Sequence, residues 1–378
     1  MRLARLWLTD FRCYRTAEFE FAPAVTVLAG GNAEGKTSVL EAVGWLARMS
    51  SFRSVPDNAL VRVGAEQAVI RAEVERGRSP ADVTPGTPRV TGRPQLIEAE
   101  IATAGRNRVL VNRQALPRAR DLLGHLRVTV FAPDDLRLVK GGPAERRAEL
   151  DELLVALSPR YDAVRSDYER VLKHRNAWLR TWSRADDPAT LDVWDDQLTR
   201  AGAELVRGRL KLIDRLAAPL GKAYGEVAGT PADVTGHYEA AWSDGELDES
   251  CLDDVAPRLA EALARSRPAD LERRLTLVGP HRDDWRLGID GLDARRLASQ
   301  GEQRSLSLAI RLAGHAVVAD VVGDVPVLLL DDVFSELDET RSRGLVAHLP
   351  EGQTLVTTAG PLPPGLAADR VVWVSGYR

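Results

Sequence analysis

Cysteine and methionine are nearly missing from this chain, with two of each in 378 residues. Cys13 and Cys251 lie far apart, which excludes a disulfide framework and a thiolate metal cluster. A surplus of one charge is missing too. The 51 Lys and Arg face 55 Asp and Glu, a formal net charge of -4, so no uniform field draws the chain to nucleic acid or membrane. Any such binding has to come from local patches. Long apolar runs are absent: no stretch approaches the roughly 18 residues of a membrane span. The chain opens on a strand pattern rather than a signal peptide, so the expected setting is a reducing cytoplasm with no membrane attachment. What remains, 44% hydrophobic and 28% charged, is an ordinary globular composition with length for two domains or one elaborated one.

Gly30-Gly31-Asn32-Ala33-Glu34-Gly35-Lys36-Thr37 is a complete G-x-x-x-x-G-K-[ST] phosphate loop, continued by Ser38. A strand-like run, Ala24 to Ala29, precedes it, and a helix-like run to Met49 follows. Glycines let the backbone approach phosphates, and amides at a helix N-terminus point inward as an anion nest. Lys36 is placed to reach the outer phosphates and the Thr37 hydroxyl to ligate Mg2+. The chain is expected to bind a nucleoside triphosphate.

The first 110 residues read as short strands: Arg2 to Leu8, Ala17 to Phe21, Ala24 to Leu28, Gln67 to Val74, Gln95 to Ala102 and Arg108 to Val111. A turn is expected at Thr9-Asp10-Phe11-Arg12. Ser79 to Pro88 is rich in Pro, Gly and Thr and reads as a mobile hairpin insertion. From about Ala144 the spacing turns helical, over Glu145 to Leu157, Pro159 to Trp182 and Leu191 to Val227. The heptad trace never holds for long, so a helical lobe is expected rather than a coiled coil. Strand signals return near Leu275. The reading is an α/β nucleotide-binding head split in sequence, 1–143 and 271–378, with a helical lobe, 144–270, inserted.

Val325-Pro326-Val327-Leu328-Leu329-Leu330-Asp331-Asp332 reads as a parallel strand buried on both faces and ending in two carboxylates. Asp331 is where an acid would hold Mg2+ directly or through water. Asp332, facing the other side, is placed to polarise attacking water. Upstream, Ala298-Ser299-Gln300-Gly301-Glu302-Gln303 opens the helix Arg304 to Ala319. Ser with Glu three residues on also spells a capping box. Downstream comes Ser335-Glu336-Leu337-Asp338.

These segments carry a resemblance. Ser299 to Gln303 resembles the signature motif of ABC-type ATPases, and Ser335 to Asp338 their D-loop. The split head is similar to SMC-like proteins. Within that group the chain resembles the RecF family of bacterial recombination mediators along essentially its whole length. Further family-like segments are Phe11 to Tyr14, Phe131 to Leu136, Leu138 to Gly141, Tyr168 to Asn176, and Gly279 to Asp284. The resemblance implies that Ser299, Gly301 and Gln303 meet ATP held by the opposite copy, in an ATP-dependent homodimer that clamps DNA at gaps or stalled forks. It also implies RecO- and RecR-type partners and help in loading RecA. Two features depart from the wider ABC pattern. Asp332 stands where Glu is common, and Gln353 to Thr358 stands where many relatives place a switch histidine. Both point to slow hydrolysis.

DNA contacts are expected from two basic patches. One holds Arg106, Arg108, Arg113, Arg118, Arg120 and Arg127. The other holds Lys173, Arg175, Arg180 and Arg184, with Trp178 and Trp182 interleaved. Two rival readings are the ATP-binding subunit of a transporter and an SMC-type structural ATPase. The first lacks a switch His here, and the second lacks long heptad arms. A metabolic kinase would not need a signature motif.

Overall fold

The computed structural model describes residues 1–76, 94–183 and 189–374. The expected hairpin insertion and Arg184 lie outside the described residues. The chain divides into two compact units. The first holds Met1–Asp135, Lys222–Pro231 and Ser305–Arg378; the second holds Leu136–Gly221 and Ala232–Arg304.

In chain order the elements begin with β1 (Arg2–Phe11), β2 (Tyr14–Glu20), β3 (Val25–Ala29) and α1 (Lys36–Arg48). Next come β4 (Gln67–Glu75), β5 (Gln95–Ala102), β6 (Arg108–Val111), β7 (Gln114–Ala115) and β8 (Val128–Phe131). Helices α2 (Arg137–Lys140), α3 (Pro143–Leu157), α4 (Arg160–Thr181) and α5 (Thr190–Ala228) follow. Then come β9 (Val234–Glu239), α6 (Val255–Arg273), β10 (Asp284–Ile289), β11 (Leu292–Asp293) and α7 (Gln300–Val322). The chain closes with β12 (Val327–Asp331), α8 (Glu339–Ala347), β13 (Thr354–Thr358) and β14 (Arg370–Trp373).

The first unit contains an antiparallel sheet, β2-β1-β4-β5-β6-β7, and a parallel one, β14-β3-β13-β12-β8. In β1 the apolar residues fall at Leu3, Leu6, Leu8 and Phe11, which breaks strict alternation. A register shift between Leu3 and Arg5 accounts for the first break, Asp10 at φ 48° lies in the second, and all four side chains are buried. The turn expected at Thr9 to Arg12 is displaced. Phe11 and Tyr14 are both apolar and pair across the strands, so the chain reverses instead at Arg12, with φ 52°, and Cys13. Buried Gln353 ties the two sheets: its Nε2 donates to Leu3 O and Ala22 O at 2.7 and 2.8 Å, and its Oε1 accepts from Leu3 N at 2.7 Å.

β12 is buried at every position, as its unbroken aliphatic run requires. β13 lies between β12 and β3, with Asp331 opposite Thr357 and Thr358 opposite Ala29. That places the segment after β3 and the carboxylates after β12 at the same carboxyl edge, where open parallel sheets bind ligands. Among the described residues one helix, α7, is long and apolar enough to cross a membrane by length and composition, contrary to the expectation of no such stretch. Its apolar window is 67% buried, as in a core helix.

The second unit packs the helices with an antiparallel sheet, β11-β10-β9. Of the apolar stripe Leu150, Leu153, Leu154 and Leu157, Leu150 and Leu154 are buried and the other two half-buried, while Leu205, Leu210, Ile213 and Leu216 are all buried. β9 and α6 have no counterpart among the elements expected from sequence, and the strand expected from Leu275 starts at Asp284. Residues 279–282 instead make a turn, closed by Arg282 N on Gly279 O at 2.8 Å, with Gly279 at φ 123°. A Cβ there would meet the Tyr168 hydroxyl at 2.8 Å. Residues 271–304 belong to the second unit because β10 pairs along its whole length with β9.

A buried polar network explains the Gly279 to Asp284 segment. Asp283 accepts from the Tyr238 hydroxyl at 2.6 Å and from Trp242 Nε1 at 2.7 Å. Arg209 grips Asp151 with two bonds, 2.8 and 2.9 Å, and donates to Pro280 O at 2.8 Å. Burial pushes the Asp283 carboxyl up to about 7, against the pull of the Tyr238 bond and Arg209.

Candidate nucleotide site

Between β3 and α1 the backbone turns tightly, with Ala33 at φ 64° and Gly35 at φ 105°. Gly35 admits no side chain: a Cβ would lie 2.6 Å from the Tyr14 hydroxyl and 2.7 Å from Cys13 Sγ. The Tyr14 hydroxyl donates to Gly35 O at 3.0 Å, which pins the loop to the start of β2. Lys36 Nζ folds back to donate to Gly30 O at 2.7 Å and Gly31 O at 2.6 Å. Gly31 N already donates to a carboxylate oxygen of Glu34 at 2.6 Å, so this amide suits an anionic oxygen.

On the far side, Asp331 Oδ1 accepts from the Thr37 hydroxyl and the Thr357 hydroxyl, each at 2.8 Å. The Thr357 oxygen accepts in turn from Asp332 N at 2.9 Å. A continuous set of hydrogen bonds therefore joins the phosphate loop directly to the end of β12, and that end to β13. Burial raises the Asp331 pKa above the usual carboxylate range, while the Thr37 and Thr357 bonds and Arg53 oppose it. A hydroxyl and a carboxylate in contact are the hard oxygen donors that Mg2+ takes beside phosphate oxygens and water, so Thr37 and Asp331 fit that ion. Asp332 sits at φ 49°, half-buried, and lines the cavity.

The cavity measures about 600 Å3 and is lined by Asn32, Ala33, Gly35, Lys36, Thr37 and Ser38 of the loop and by Asp332 and Thr357. Arg12, Cys13 and Arg53 also line it, and the sequence by itself gives these no role. Arg12 is held rigidly: Nε and Nη2 grip the fully buried Glu41 at 2.7 and 2.6 Å, and Nη1 donates to Ala59 O at 2.9 Å. Ser51 Oγ also donates to Glu41. The one sequence signal for Arg12 and Cys13 is the family-like Phe11 to Tyr14 segment, and Arg53 has none.

In the second unit, Ser299 and Glu302 form a reciprocal capping box at the start of α7. Ser299 N donates to Glu302 Oε2 at 2.7 Å, and Glu302 N to Ser299 Oγ at 3.3 Å. Buried Gln303 donates to Ala294 O at 2.9 Å and Arg295 O at 3.1 Å, and Gly301 is half-buried. Ser299 is exposed. In the first unit, exposed Ser335 donates to Asp332 O at 2.8 Å, and Asp338 caps α8 by accepting from Arg341 N at 2.9 Å.

The structure corrects one expected DNA contact. Arg175 is fully buried; Nε donates to Asp195 at 2.7 Å, and Nη1 to Asp270 and the Thr276 hydroxyl, each at 2.8 Å. The apolar surroundings on α4 favour a paired cation, and the guanidinium braces that lobe. Arg175→Ala should therefore cost about 3–5 kcal/mol of stability, since buried Asp270 loses its cation and Asp195 keeps only Arg267. Lys173→Ala, at an exposed position, should change it by under about 0.5 kcal/mol. Urea unfolding of both variants checks the contrast. Arg106, Arg108 and Arg113 are exposed, with Arg108 within 3.8 Å of Glu100. His281 is enclosed, its Nδ1 2.7 Å from the Tyr168 hydroxyl, and burial pushes its pKa down to about 4. It is a neutral structural residue.

Residues 2–359 match the family described as RecF/RecN/SMC N terminal domain. The chain is 44% identical over 393 residues to the DNA replication and repair protein RecF of Frankia alni, covering 100% of this chain and 98% of that one. The protein of the same name in Streptomyces avermitilis is 44% identical over 381 residues, covering 98% and 97%. The solved recombination mediator protein RecF-ATPrS in the RecFOR pathway is 27% identical, with a TM-score of 0.86 over 99% of this chain and 96% of that one. An SmcHead bound to the C-winged helix domain of ScpA shares the fold at a TM-score of 0.51 and 14% identity.

Proposed function

Since this chain belongs to the RecF family of DNA replication and repair proteins, with the fold of an SMC-like ATPase head, we propose that it is an ATP-gated DNA clamp of recombinational repair. The observation that carries this reading is the hydrogen-bonded chain Thr37–Asp331–Thr357, whose two threonines line the 600 Å3 cavity. It couples the phosphate loop to a second strand end, so one ligand there touches both.

The loop amides and Lys36 bind the phosphates of ATP. Lys36 leaves the carbonyls of Gly30 and Gly31 for the outer phosphate oxygens. Thr37 and Asp331 hold Mg2+, which when bound offsets phosphate charge. Asp332, on the strand end beyond them, orients and deprotonates the attacking water. Its arm is a methylene shorter than Glu, and the neighbouring Thr357 offers a hydroxyl rather than an imidazole, so turnover is slow. Ser299, Gly301 and Gln303 of a second copy complete the site, with Ser335 and Asp338 beside them, so ATP closes a twofold dimer. DNA binds the closed dimer through exposed cations such as Arg106, Arg108, Arg113 and Lys173. Partners of RecO and RecR type then use the clamp to load recombinase at gaps and stalled forks, in the cytoplasm at the nucleoid.

The reading is tested by adding ATP to the purified protein while following sedimentation and duplex affinity together. Dimerisation and tighter DNA binding should appear at the same ATP concentration; either one without the other sinks the clamp. Asp332→Asn should keep ATP binding and dimerisation but slow phosphate release by about a hundredfold or more, leaving a long-lived dimer on DNA. Unchanged phosphate release would move the catalytic role elsewhere.

A further inference from the structure

The second unit carries a small cationic hollow whose residues belong to neither basic patch seen in the sequence. Its floor is Arg146, only 4% exposed, which holds Asp284 through two 2.8 Å bonds. Arg146 Nη1 also donates to Gly141 O at 3.1 Å, and this fastens the end of α2 beside the first residue of β10. That pair is internally neutral. Above it the hollow, about 60 Å3, is lined by Arg286, Arg295 and Arg296, with Asp293. Arg295 Nε donates to Lys140 O at 3.2 Å, so exposed Lys140 stands at the same rim.

The charges there do not cancel. Arg286 is paired with Glu239, and Asp293, which accepts from the backbone N of Arg296 at 3.0 Å, is the lining carboxylate left to face Arg295, Arg296 and Lys140. Arg295 and Arg296 are exposed, and neither has a carboxylate in ion-pair range among the described residues. In a chain of net charge -4, two guanidinium groups with no ion-paired carboxylate and a lysine, against the one carboxylate of Asp293, form a local reversal of sign. The space suits a tetrahedral oxyanion and not a nucleoside. Guanidinium forks match phosphate oxygens in pairs.

We propose that Arg295 and Arg296, with Lys140 and Arg286 at the rim, form a phosphodiester-binding site that seats the DNA backbone. It rests on the DNA-clamp reading above. The cations are carried on long exposed side chains rather than on an amide nest, which favours a backbone running across the hollow over an enclosed nucleotide phosphate. Such contacts position a duplex without reading its bases.

The test uses the full chain with ATP and a fluorescein-labelled duplex, followed by anisotropy across a salt series. The variants are Arg295→Gln/Arg296→Gln and, as a comparison, Arg106→Gln/Arg108→Gln/Arg113→Gln. Because the first variant removes two cations that neutralise phosphates, the slope of log affinity against log salt should become shallower by about 2. Affinity near 0.1 M salt should fall roughly tenfold or more, while melting temperature, ATP affinity and ATP-dependent dimerisation stay as in the parent. An unchanged slope and affinity would overturn the site. Loss of ATP-dependent dimerisation would also overturn it, by assigning the two arginines to closure on nucleotide. If the parent protein binds no duplex with ATP, the clamp reading itself falls, and this site falls with it.

Discussion

Lys36→Ala should bind ATP about a hundredfold more weakly than the parent, and its hydrolysis and DNA-repair activity should disappear together. The ammonium supplies charge-assisted bonds to the outer phosphates, and removing two such bonds from a partly buried site amounts to about 3 kcal/mol. The fold should survive. Among the described residues Lys36 donates only to the carbonyls of Gly30 and Gly31, which water can satisfy in an open cavity. Nucleotide affinity by fluorescence titration, alongside a thermal melt, separates the two effects. A folded Lys36→Ala protein with normal ATPase activity would end the phosphate-loop reading.

Ser299→Arg is expected to abolish ATP-driven dimerisation, hydrolysis and ATP-stimulated DNA binding at once, while a monomer still binds nucleotide nearly as well as the parent. The hydroxyl is exposed at the start of α7, where bulk and charge would obstruct closure against a second copy. The reciprocal bonds between Ser299 and Glu302 set the competing expectation. If capping is their whole purpose, the substitution loses about 1 kcal/mol of helix stability and leaves assembly alone. Mixing with Lys36→Ala sharpens the result. A heterodimer of the two joins an intact phosphate loop to an intact signature at only one of its two sites, so at most one site works. Oligomeric state and nucleotide affinity, measured across a protein titration, decide between the two. Normal dimerisation by Ser299→Arg would leave residues 299–303 as a cap.

The corrected positions share a cause. Arg175 reads as a DNA contact because a run of cations on a helix looks like a solvated face, yet its partners Asp195, Asp270 and Thr276 come from distant stretches of chain. The turn reads as Thr9 to Arg12 because Phe11 and Tyr14 reveal their pairing only once both strands have a common core. β9 is hidden because Val234 to Glu239 is short and weakly patterned, and it becomes a strand by pairing with β10.

By itself the sequence determined the parts whose chemistry is local. The phosphate loop requires a strand before it, glycines within it and a helix after it, all in adjacent residues. The aliphatic run ending at Asp331 declares a buried parallel strand by composition alone, and the 3.6-residue spacing of Leu150 and Leu154 or Leu205 and Leu216 declares helices. Only the tertiary structure decided what depends on residues far apart in the chain. It set Thr37 and Thr357 against the same oxygen of Asp331, and it brought Arg12, locked on Glu41, and Arg53 to the cavity wall. It also sorted the arginines into buried braces such as Arg175 and Arg146 and exposed cations such as Arg295 and Arg296. The physical reason is that a charge acquires its role from the dielectric and partners around it, and those come from long-range packing that no local pattern encodes.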